Sequence, residues 1–266
     1  LDSFCSKRDT PEIPLLLILN YPSNPTGQTY DSQQLAELAE VMRKHNVIVI
    51  ADEIYSLLSY ASSGEKQSSI ADYYPEGCIV SSGLSKWCGA GGWRLGFMHI
   101  PQELTGLLNT VIGVASETYS CAPSPIQIAA TKAYQEIDLA NNFLIKQVKL
   151  LDEISKYCAD ELTKARVKVH CAQGGFYLFP DFSNYTEKLA KLNITTSEQL
   201  TSALMNDVGV ALLPGSAFGM SASSLTTRLA FVDFDGNQVN NNQNAKSQFE
   251  QVKLGIEQLC LWLSNL

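Results

Sequence analysis

The sequence predicts an α/β protein whose larger domain is built on a mainly parallel sheet and is followed by a smaller α+β domain. In the first half of the chain, short apolar runs of strand length alternate with helical patterns, an order that favours parallel strands joined by crossovers. Polar, turn-rich segments follow several of these runs, at the strand ends where parallel sheets bind ligands. A long helical pattern then leads into a region of mixed strands and helices.

The first predicted elements form a strand, a helix and a second strand. Residues 15–19 are a continuous apolar run, typical of a strand covered on both faces, and they stop at the turn-rich residues 20–27. Asp31 can cap a helix whose apolar positions recur every three or four residues, and this helix is expected to end near residues 45–46. Residues 47–51 are then predicted to be a second buried strand.

Two more strands and a long helix complete the predicted larger domain. Residues 78–81 and 95–100 have strand patterns bounded by turn residues. Helical spacing resumes after Pro125 and continues from about residue 139 to residue 162. We interpret this long, polar-faced helix as the connection between two domains.

The domain boundary is placed inside this helical region. Residues 1–138 are assigned to the C-terminal part of a large domain, and residues 139–266 to the interdomain helix and a small C-terminal domain. The elements predicted for the small domain are strands at residues 167–170, 176–179, 208–213 and 227–232 and helices at residues 197–206 and 249–263. Residues 237–243 are low in complexity and are interpreted as a surface loop.

Composition and charge favour a small-molecule partner. The 266 residues carry a net charge of −8, which argues against nucleic acid and anionic membranes as partners. The apolar runs are far shorter than the roughly 20 residues of a membrane span. The seven cysteines are odd in number and show no C-x-x-C spacing, so the sequence predicts no metal site and no disulfide framework. A reducing cytoplasm is the expected location.

A glycine-rich segment, residues 81–97, follows a predicted strand and contains Lys86 and Arg94, eight residues apart. Schiff-base chemistry needs a lysine amine that is neutral near pH 7, and a partly buried loop at a strand end favours this state. A solvated surface lysine is the alternative. The Arg94 guanidinium could bind a phosphate through two parallel hydrogen bonds or form a structural salt bridge.

Further polar residues follow the first two strands. Asp52, at the end of the second strand, could keep a pyridinium nitrogen protonated, and Tyr55 could hydrogen-bond a phenolate oxygen; a helix cap or a metal ligand is the alternative for the Asp-Glu pair. Asn24 lies in a turn with Pro25 and Gly27 that could direct its amide toward a ring oxygen or a carboxylate, unless this is an ordinary Asx turn.

Arg228 is a single arginine in an apolar strand pattern. A guanidinium that is buried or half-buried needs an anion. Either a substrate carboxylate or an internal Asp or Glu would satisfy it.

The order of these motifs resembles the aspartate-aminotransferase superfamily, the class I/II aminotransferases of fold type I among enzymes that depend on pyridoxal 5'-phosphate (PLP). The resemblance covers essentially the whole chain, and it is most specific in the loop around Lys86 with Gly-Trp-Arg-Leu-Gly at residues 92–96. It implies a three-layer α/β/α large domain, PLP as the cofactor and a role in amino acid metabolism.

The resemblance also implies roles for the site residues. Lys86 would form the Schiff base with PLP and then act as the general acid/base. Asp52 would pair with the pyridine nitrogen, Asn24 and Tyr55 would hydrogen-bond the 3-oxygen of the cofactor, and Arg94 would bind its phosphate.

The implied activity is an aminotransferase reaction between an L-amino acid and a 2-oxo acid. Arg228, assisted by Asn24, would bind the substrate α-carboxylate. A PLP-dependent lyase, or an enzyme similar to 1-aminocyclopropane-1-carboxylate synthase, is the first alternative, and a non-catalytic truncated homologue is the second. The family also implies a homodimer, in which Ser120 is a candidate contact to the cofactor of the neighbouring subunit.

Two features depart from the family pattern. Gly83 stands where family members often have a phosphate-binding serine, and Ser82 or Ser85 are its candidate substitutes. The phosphate-cradling loop and the aromatic residue that stacks on the ring would lie before Asn24, on a segment that this sequence lacks. Because Leu1 is not an initiator methionine, the chain is expected to be N-terminally truncated, and on its own it could be inactive.

Overall fold

The computed structural model describes residues 1–9, 12–60, 67–234, 236 and 249–266. It divides the chain into two compact units. Unit 1 comprises Leu1–Pro22 and Thr29–Leu144, and unit 2 comprises Ser23–Gln28 and Ile145–Leu266. The boundary expected between residues 138 and 139 remains a prediction. The low-complexity residues 237–243 lie outside the described residues.

In the first half of the chain one described α-helix connects the first two strands, and the next two strands follow without a described α-helix between them. The strands are β1 Leu15–Asn20, β2 Val47–Asp52, β3 Cys78–Gly83, β4 Gly96–His99, β5 Tyr177–Leu178, β6 Leu213–Pro214 and β7 Thr227–Ala230. The α-helices are α1 Asp2–Cys5, α2 Ser32–Lys44, α3 Thr105–Thr118, α4 Ser124–Gln135, α5 Ile137–Lys164, α6 Thr186–Ala190, α7 Ser197–Val208 and α8 Glu250–Ser264. No described helix is both long and apolar enough to cross a membrane.

Unit 1 contains a four-stranded sheet in the order β1–β2–β3–β4. The first three strands are parallel, and β4 is antiparallel to β3. In this register Asn20 is opposite Asp52, and Asp52 is opposite Ser81. The predicted mainly parallel sheet is therefore confirmed, and the polar residues Asn20, Asp52 and Ser81 lie side by side across its three parallel strands.

Helix α2 begins and ends where its local sequence signals predict. The Asp31 carboxylate accepts a hydrogen bond from the Gln34 main-chain N–H at 2.8 Å, and the Gln34 side chain accepts one from the Asp31 N–H at 3.0 Å. This capping box satisfies two N–H groups that the first helical turn leaves without partners. Leu35, Ala39 and Met42 are buried at helical spacing against β1 and β2.

The prediction that β1 is covered on both faces is wrong for the described residues. Leu16 and Ile18 are 58% and 68% exposed, whereas Leu19 is buried. Successive side chains of a strand point to opposite faces. One face packs on the core that contains α2, and no described residue buries the other.

Unit 2 contains a three-stranded antiparallel sheet in the order β5–β7–β6. Helix α8 buries four apolar side chains at helical spacing, Val252, Ile256, Leu259 and Leu263. The predicted strand at residues 167–170 is wrong, since this segment makes only one bridge, between Lys168 and Asp181. The predicted strand at 208–213 is also wrong over most of its length, because α7 runs to Val208 and β6 begins only at Leu213.

Candidate active site

The carboxylate of Asp52 lies at the C-terminal edge of the parallel strands. Its Oδ2 atom accepts a hydrogen bond from Asn20 Nδ2 at 3.0 Å, and the same Nδ2 lies 3.3 Å from the Asp52 main-chain oxygen. The Ile54 main-chain N–H lies 3.4 Å from Oδ1. Asp52 is half-buried. A neutral amide therefore holds this carboxylate in one orientation.

The neighbouring carboxylate, Glu53, belongs to the core. Its Oε1 atom accepts hydrogen bonds from the Tyr21 hydroxyl at 2.7 Å and from the Ser69 hydroxyl at 2.6 Å. The Tyr21 hydroxyl in turn accepts one from the Ile70 main-chain N–H at 2.6 Å. Burial, together with the nearby Glu53 carboxylate, raises the pKa of Tyr21 above its ordinary value. Of the two acids at the C-terminal end of β2, Asp52 is the one placed for chemistry at the sheet edge.

Lys86 lies on a loop that is anchored on both sides. Leu84 and Trp87 are buried, whereas Lys86 between them is half-buried. The Trp87 ring lies 5.4 Å from the ring of Tyr134 in α4, and its Nε1 donates a hydrogen bond to the Tyr134 hydroxyl at 3.3 Å. These contacts distinguish Lys86 from a lysine on a flexible surface loop.

The structure brings Lys86 and Tyr55 together. Lys86 Nζ lies 5.4 Å from the centroid of the Tyr55 ring, which is buried. An ammonium at this distance from an aromatic ring can form a cation–π contact. The amine is thus held next to the phenol that follows Asp52 by three residues.

Gly83 has a steric reason to lack a side chain. It pairs with Gly96 across β3 and β4. A Cβ atom at residue 83 would lie 2.7 Å from the Leu95 main-chain oxygen and 2.9 Å from the Gly96 Cα atom. The departure from the serine often found in the family therefore follows from the close approach of these two strands.

Arg94 is exposed and has a left-handed backbone conformation, with φ 53°. Its Nη1 donates to the Gly91 main-chain oxygen at 2.7 Å. Among the described residues, no carboxylate forms an ion pair with Arg94. The alternative prediction, a structural salt bridge of Arg94, is therefore not found within the described residues.

The Asn24 turn belongs to unit 2. The Ser23 N–H donates to the Gln28 carbonyl oxygen at 2.8 Å, and the Gln173 N–H donates to the Gly27 carbonyl oxygen at 2.7 Å. Gly27 has a φ of 68°, and a Cβ atom there would lie 2.5 Å from the Tyr177 main-chain oxygen. Only glycine fits this turn, which packs closely against the β5 segment.

Arg228 lies in unit 2 with Asn24. Its Nη1 donates a hydrogen bond to Asn24 Oδ1 at 2.8 Å. The guanidinium carbon lies 4.5 Å from the ring centroid of Tyr177 and 4.8 Å from that of Phe218. Arg228 Nε is buried without a hydrogen-bond acceptor, and over the described ranges no Asp or Glu forms an ion pair with this arginine.

The structure thus groups the predicted site residues by unit. Unit 1 contains Asp52, Tyr55, Lys86 and Arg94, and unit 2 contains Asn24 and Arg228. Sequence reasoning missed three residues that support them, Asn20, Tyr177 and Phe218. The sequence signals for these three residues were weak. Asn20 is a polar residue at the end of an apolar run, and Tyr177 and Phe218 are aromatic residues that come shortly after glycines.

A family model matches most of the chain. The model for aminotransferase class I and II covers residues 5–239. A probable N-acetyl-LL-diaminopimelate aminotransferase of Bacillus subtilis is 36% identical over 203 residues, which cover 76% of this chain and 47% of that protein. An aspartate aminotransferase of Geobacillus stearothermophilus is 32% identical over 211 residues, covering 76% of this chain and 50% of the relative. The chain spans about half the length of these curated relatives.

Solved structures also match the chain. An aromatic aminotransferase from Pyrococcus horikoshii superimposes with a TM-score of 0.78 at 26% identity, covering 98% of this chain and 62% of that one. A Thermus thermophilus aspartate aminotransferase with maleate gives a TM-score of 0.76 at 22% identity, covering 98% and 60% of the two chains. These likenesses confirm the predicted fold, fold type I.

Proposed function

The chain belongs to the class I and II aminotransferases, a PLP-dependent family, and from this premise we propose that the protein transfers an amino group between an L-amino acid and a 2-oxo acid. One observation carries the proposal: Lys86 lies on an anchored loop with its amine 5.4 Å from the ring of Tyr55. A lysine in such a setting can act as the covalent anchor of a carbonyl cofactor.

The residues of this chain fit PLP. Asp52 has a fixed carboxylate whose hydrogen-bond donor is a neutral amide, so its charge is available to a pyridinium nitrogen. Lys86 would hold the cofactor as a Schiff base, Tyr55 and Asn24 would hydrogen-bond its 3-oxygen, and Arg94 would bind its phosphate. When bound, PLP supplies the electron sink that makes the α-proton of an amino acid acidic enough to remove.

The proton movements are assigned to Lys86. In the neutral state its Nζ atom would accept the substrate α-proton, and the ammonium so formed would later give this proton back during the transfer. The buried side chains of Leu84 and Trp87 restrict the loop backbone on both sides of Lys86, which lowers the entropy lost when the amine reaches the proton.

Substrate binding is assigned to Arg228. The arginine has a buried Nε without an acceptor in the described residues, and a carboxylate is the anion that would satisfy it. Asn24 orients Nη1, and the rings of Tyr177 and Phe218 lie beside the guanidinium, 4.5 and 4.8 Å from its carbon atom. A bidentate contact to the substrate α-carboxylate is therefore proposed.

We further propose that the protein is a cytoplasmic homodimer. The homodimer is inferred from family membership, and Ser120, which is exposed, is retained as a candidate contact to the neighbouring subunit. The cytoplasmic location is supported by the seven cysteines, all of which are free thiols.

The experiment that tests the proposed function is an absorbance spectrum of the full-length protein with PLP, recorded before and after borohydride. We expect a cofactor band that borohydride fixes, with the adduct on Lys86 in a peptide map, followed by amino transfer in a screen of amino donors. Release of ammonia or a cyclised product instead of a new amino acid would assign the protein to the lyase or synthase class. Absence of the band in the full-length protein would reject the PLP assignment.

A further inference from the structure

We propose that Asn20 is a positioning residue, whose side-chain amide orients the Asp52 carboxylate as an acceptor for the ring nitrogen of PLP. The inference rests on the proposed function, because it needs Asp52 to bind that nitrogen. None of the motifs that singled out the other site residues includes Asn20.

The pairing of β1 and β2 places the two side chains. Asn20 and Asp52 are the last residues of their strands and are direct partners in the parallel register. Asn20 Nδ2 lies 3.0 Å from Asp52 Oδ2 and 3.3 Å from the Asp52 main-chain oxygen. One amide nitrogen therefore contacts both the side chain and the backbone of the same residue, which restricts rotation of the carboxylate.

The neutral charge of the amide is important. A hydrogen bond to a carboxylate favours its ionised form, but an amide, unlike a lysine or arginine, does not neutralise the charge. In the part of the chain that the structure describes, Asp52 forms no ion pair. Because Asn20 occupies Oδ2 and Oδ1 has only the 3.4 Å contact from the Ile54 N–H, Oδ1 keeps the capacity to accept a proton donor.

The residues that follow Asn20 and Asp52, Tyr21 and Glu53, also form a pair, but this pair has a different role. Tyr21 follows Asn20 and donates to Glu53, which follows Asp52. Tyr21 is fully buried, and Glu53 is buried with it. The Tyr21–Glu53 pair therefore stabilises the core, and the Asn20–Asp52 pair is the one available to the cofactor. This difference supplies a matched control.

The test uses the full-length protein loaded with PLP that carries nitrogen-15 at the ring. The chemical shift of this nitrogen reports whether it is protonated, and it is followed against pH in wild type, Asn20→Leu and Tyr21→Phe. We expect the ring nitrogen of Asn20→Leu to lose its proton at a pH lower by about one unit, the size expected for one hydrogen bond to a charged group. We also expect kcat to fall ~10-fold while the KM for the amino donor changes little.

Tyr21→Phe should leave the titration of the ring nitrogen unchanged, although it removes two buried hydrogen bonds, one to Glu53 and one from the Ile70 N–H. If Asn20→Leu is insoluble, Asn20→Ala, which has no side-chain hydrogen-bond donor, is measured in the same way. An unchanged titration in the soluble Asn20 variant, with PLP bound normally, would overturn the positioning role and leave the proposed function intact. Failure of the wild type to bind PLP at all would instead reject the proposed function.

Discussion

Arg228 donates a hydrogen bond to Asn24 at 2.8 Å, although 204 positions separate the two residues in the sequence. Both were selected from separate motifs at opposite ends of the chain, and the structure places them in the same unit. The contact leaves Arg228 Nε buried without an acceptor in the described residues. An arginine in this state is expected to gain its missing partner from a ligand.

The first prediction follows from this contact. Arg228→Ala should lower kcat/KM for the amino acid substrate by about 10- to 150-fold, which corresponds to the ~1.5–3 kcal/mol of a hydrogen bond to a charged group. Most of the change should appear in KM, because the arginine binds the carboxylate before and during the reaction. PLP retention should be unchanged. Steady-state kinetics and cofactor absorbance measure the two quantities.

Arg43→Ala is the matched control for Arg228→Ala. Arg43 is an exposed arginine that pairs with Glu76 at 2.6 Å. Its removal should leave KM unchanged, so the effect of Arg228→Ala cannot be attributed to a change in net charge. Equal KM values for Arg228→Ala and wild type would reject the substrate-binding role.

The second prediction concerns Lys86. Lys86→Ala should lower the rate of amino transfer by at least about a hundredfold, because it removes both the covalent anchor and the acid/base group. Borohydride should then fix no cofactor. Lys132→Ala, which removes an exposed lysine of α4 that is paired with Glu136, should retain activity and the fixed adduct. Wild-type rates in Lys86→Ala would contradict the catalytic assignment.

Much of the fold of unit 1 could be predicted because its signals are local. The apolar runs of β1 and β2 and the capping box at Asp31 need only neighbouring residues, and all three are confirmed. Helix α3 was not predicted: it contains two glycines, which lower helix propensity, and its N-cap residue, Leu104, provides no capping side chain. The signals for strands in unit 2 were weaker, since its described strands have only two to four residues.

The residues of the candidate site likewise fall into two groups, those with a local signal in the sequence and those without one. Asp52, Tyr55, Lys86 and Arg94 could be selected because their spacing along the chain carries the signal. Asn20 could not, because its role depends on the strand register that places it opposite Asp52. Tyr177 and Phe218 likewise depend on packing against Arg228, over separations for which one sequence gives no signal.

The third prediction concerns Gly83. Gly83→Ser should lower the free energy of unfolding by ~1–3 kcal/mol, because the new Cβ would lie 2.7 Å from the Leu95 oxygen and must displace β4. Gly92→Ser is the control, since nothing lies within 4 Å of a Cβ at that position. Chemical denaturation of both variants measures the difference. Equal free energies of unfolding for Gly83→Ser and Gly92→Ser would mean that β4 can move away from β3 without loss of stability.

The fourth prediction is a pH dependence at the N-terminus of the chain. Asp2 accepts a hydrogen bond from Lys44 at 2.9 Å and pairs with His45 at 2.8 Å. These contacts, with Lys44 first, lower the pKa of Asp2 from 3.8 to about 2. Because the pKa in the folded state is the lower one, the stabilisation is present above about pH 4 and is lost as the pH falls toward 2.

Asp2→Asn should therefore unfold at a lower temperature than wild type near pH 5, and the difference should shrink to zero as the pH falls through about 4 to 2. Thermal unfolding of both proteins across this range measures it. Asp9→Asn, which changes an exposed acid on the same segment, should show no such convergence. The difference in unfolding temperature between Asp2→Asn and wild type could instead grow on acidification. That result would contradict the prediction, because it would mean that Asp2 is better paired in the unfolded chain than in the folded one.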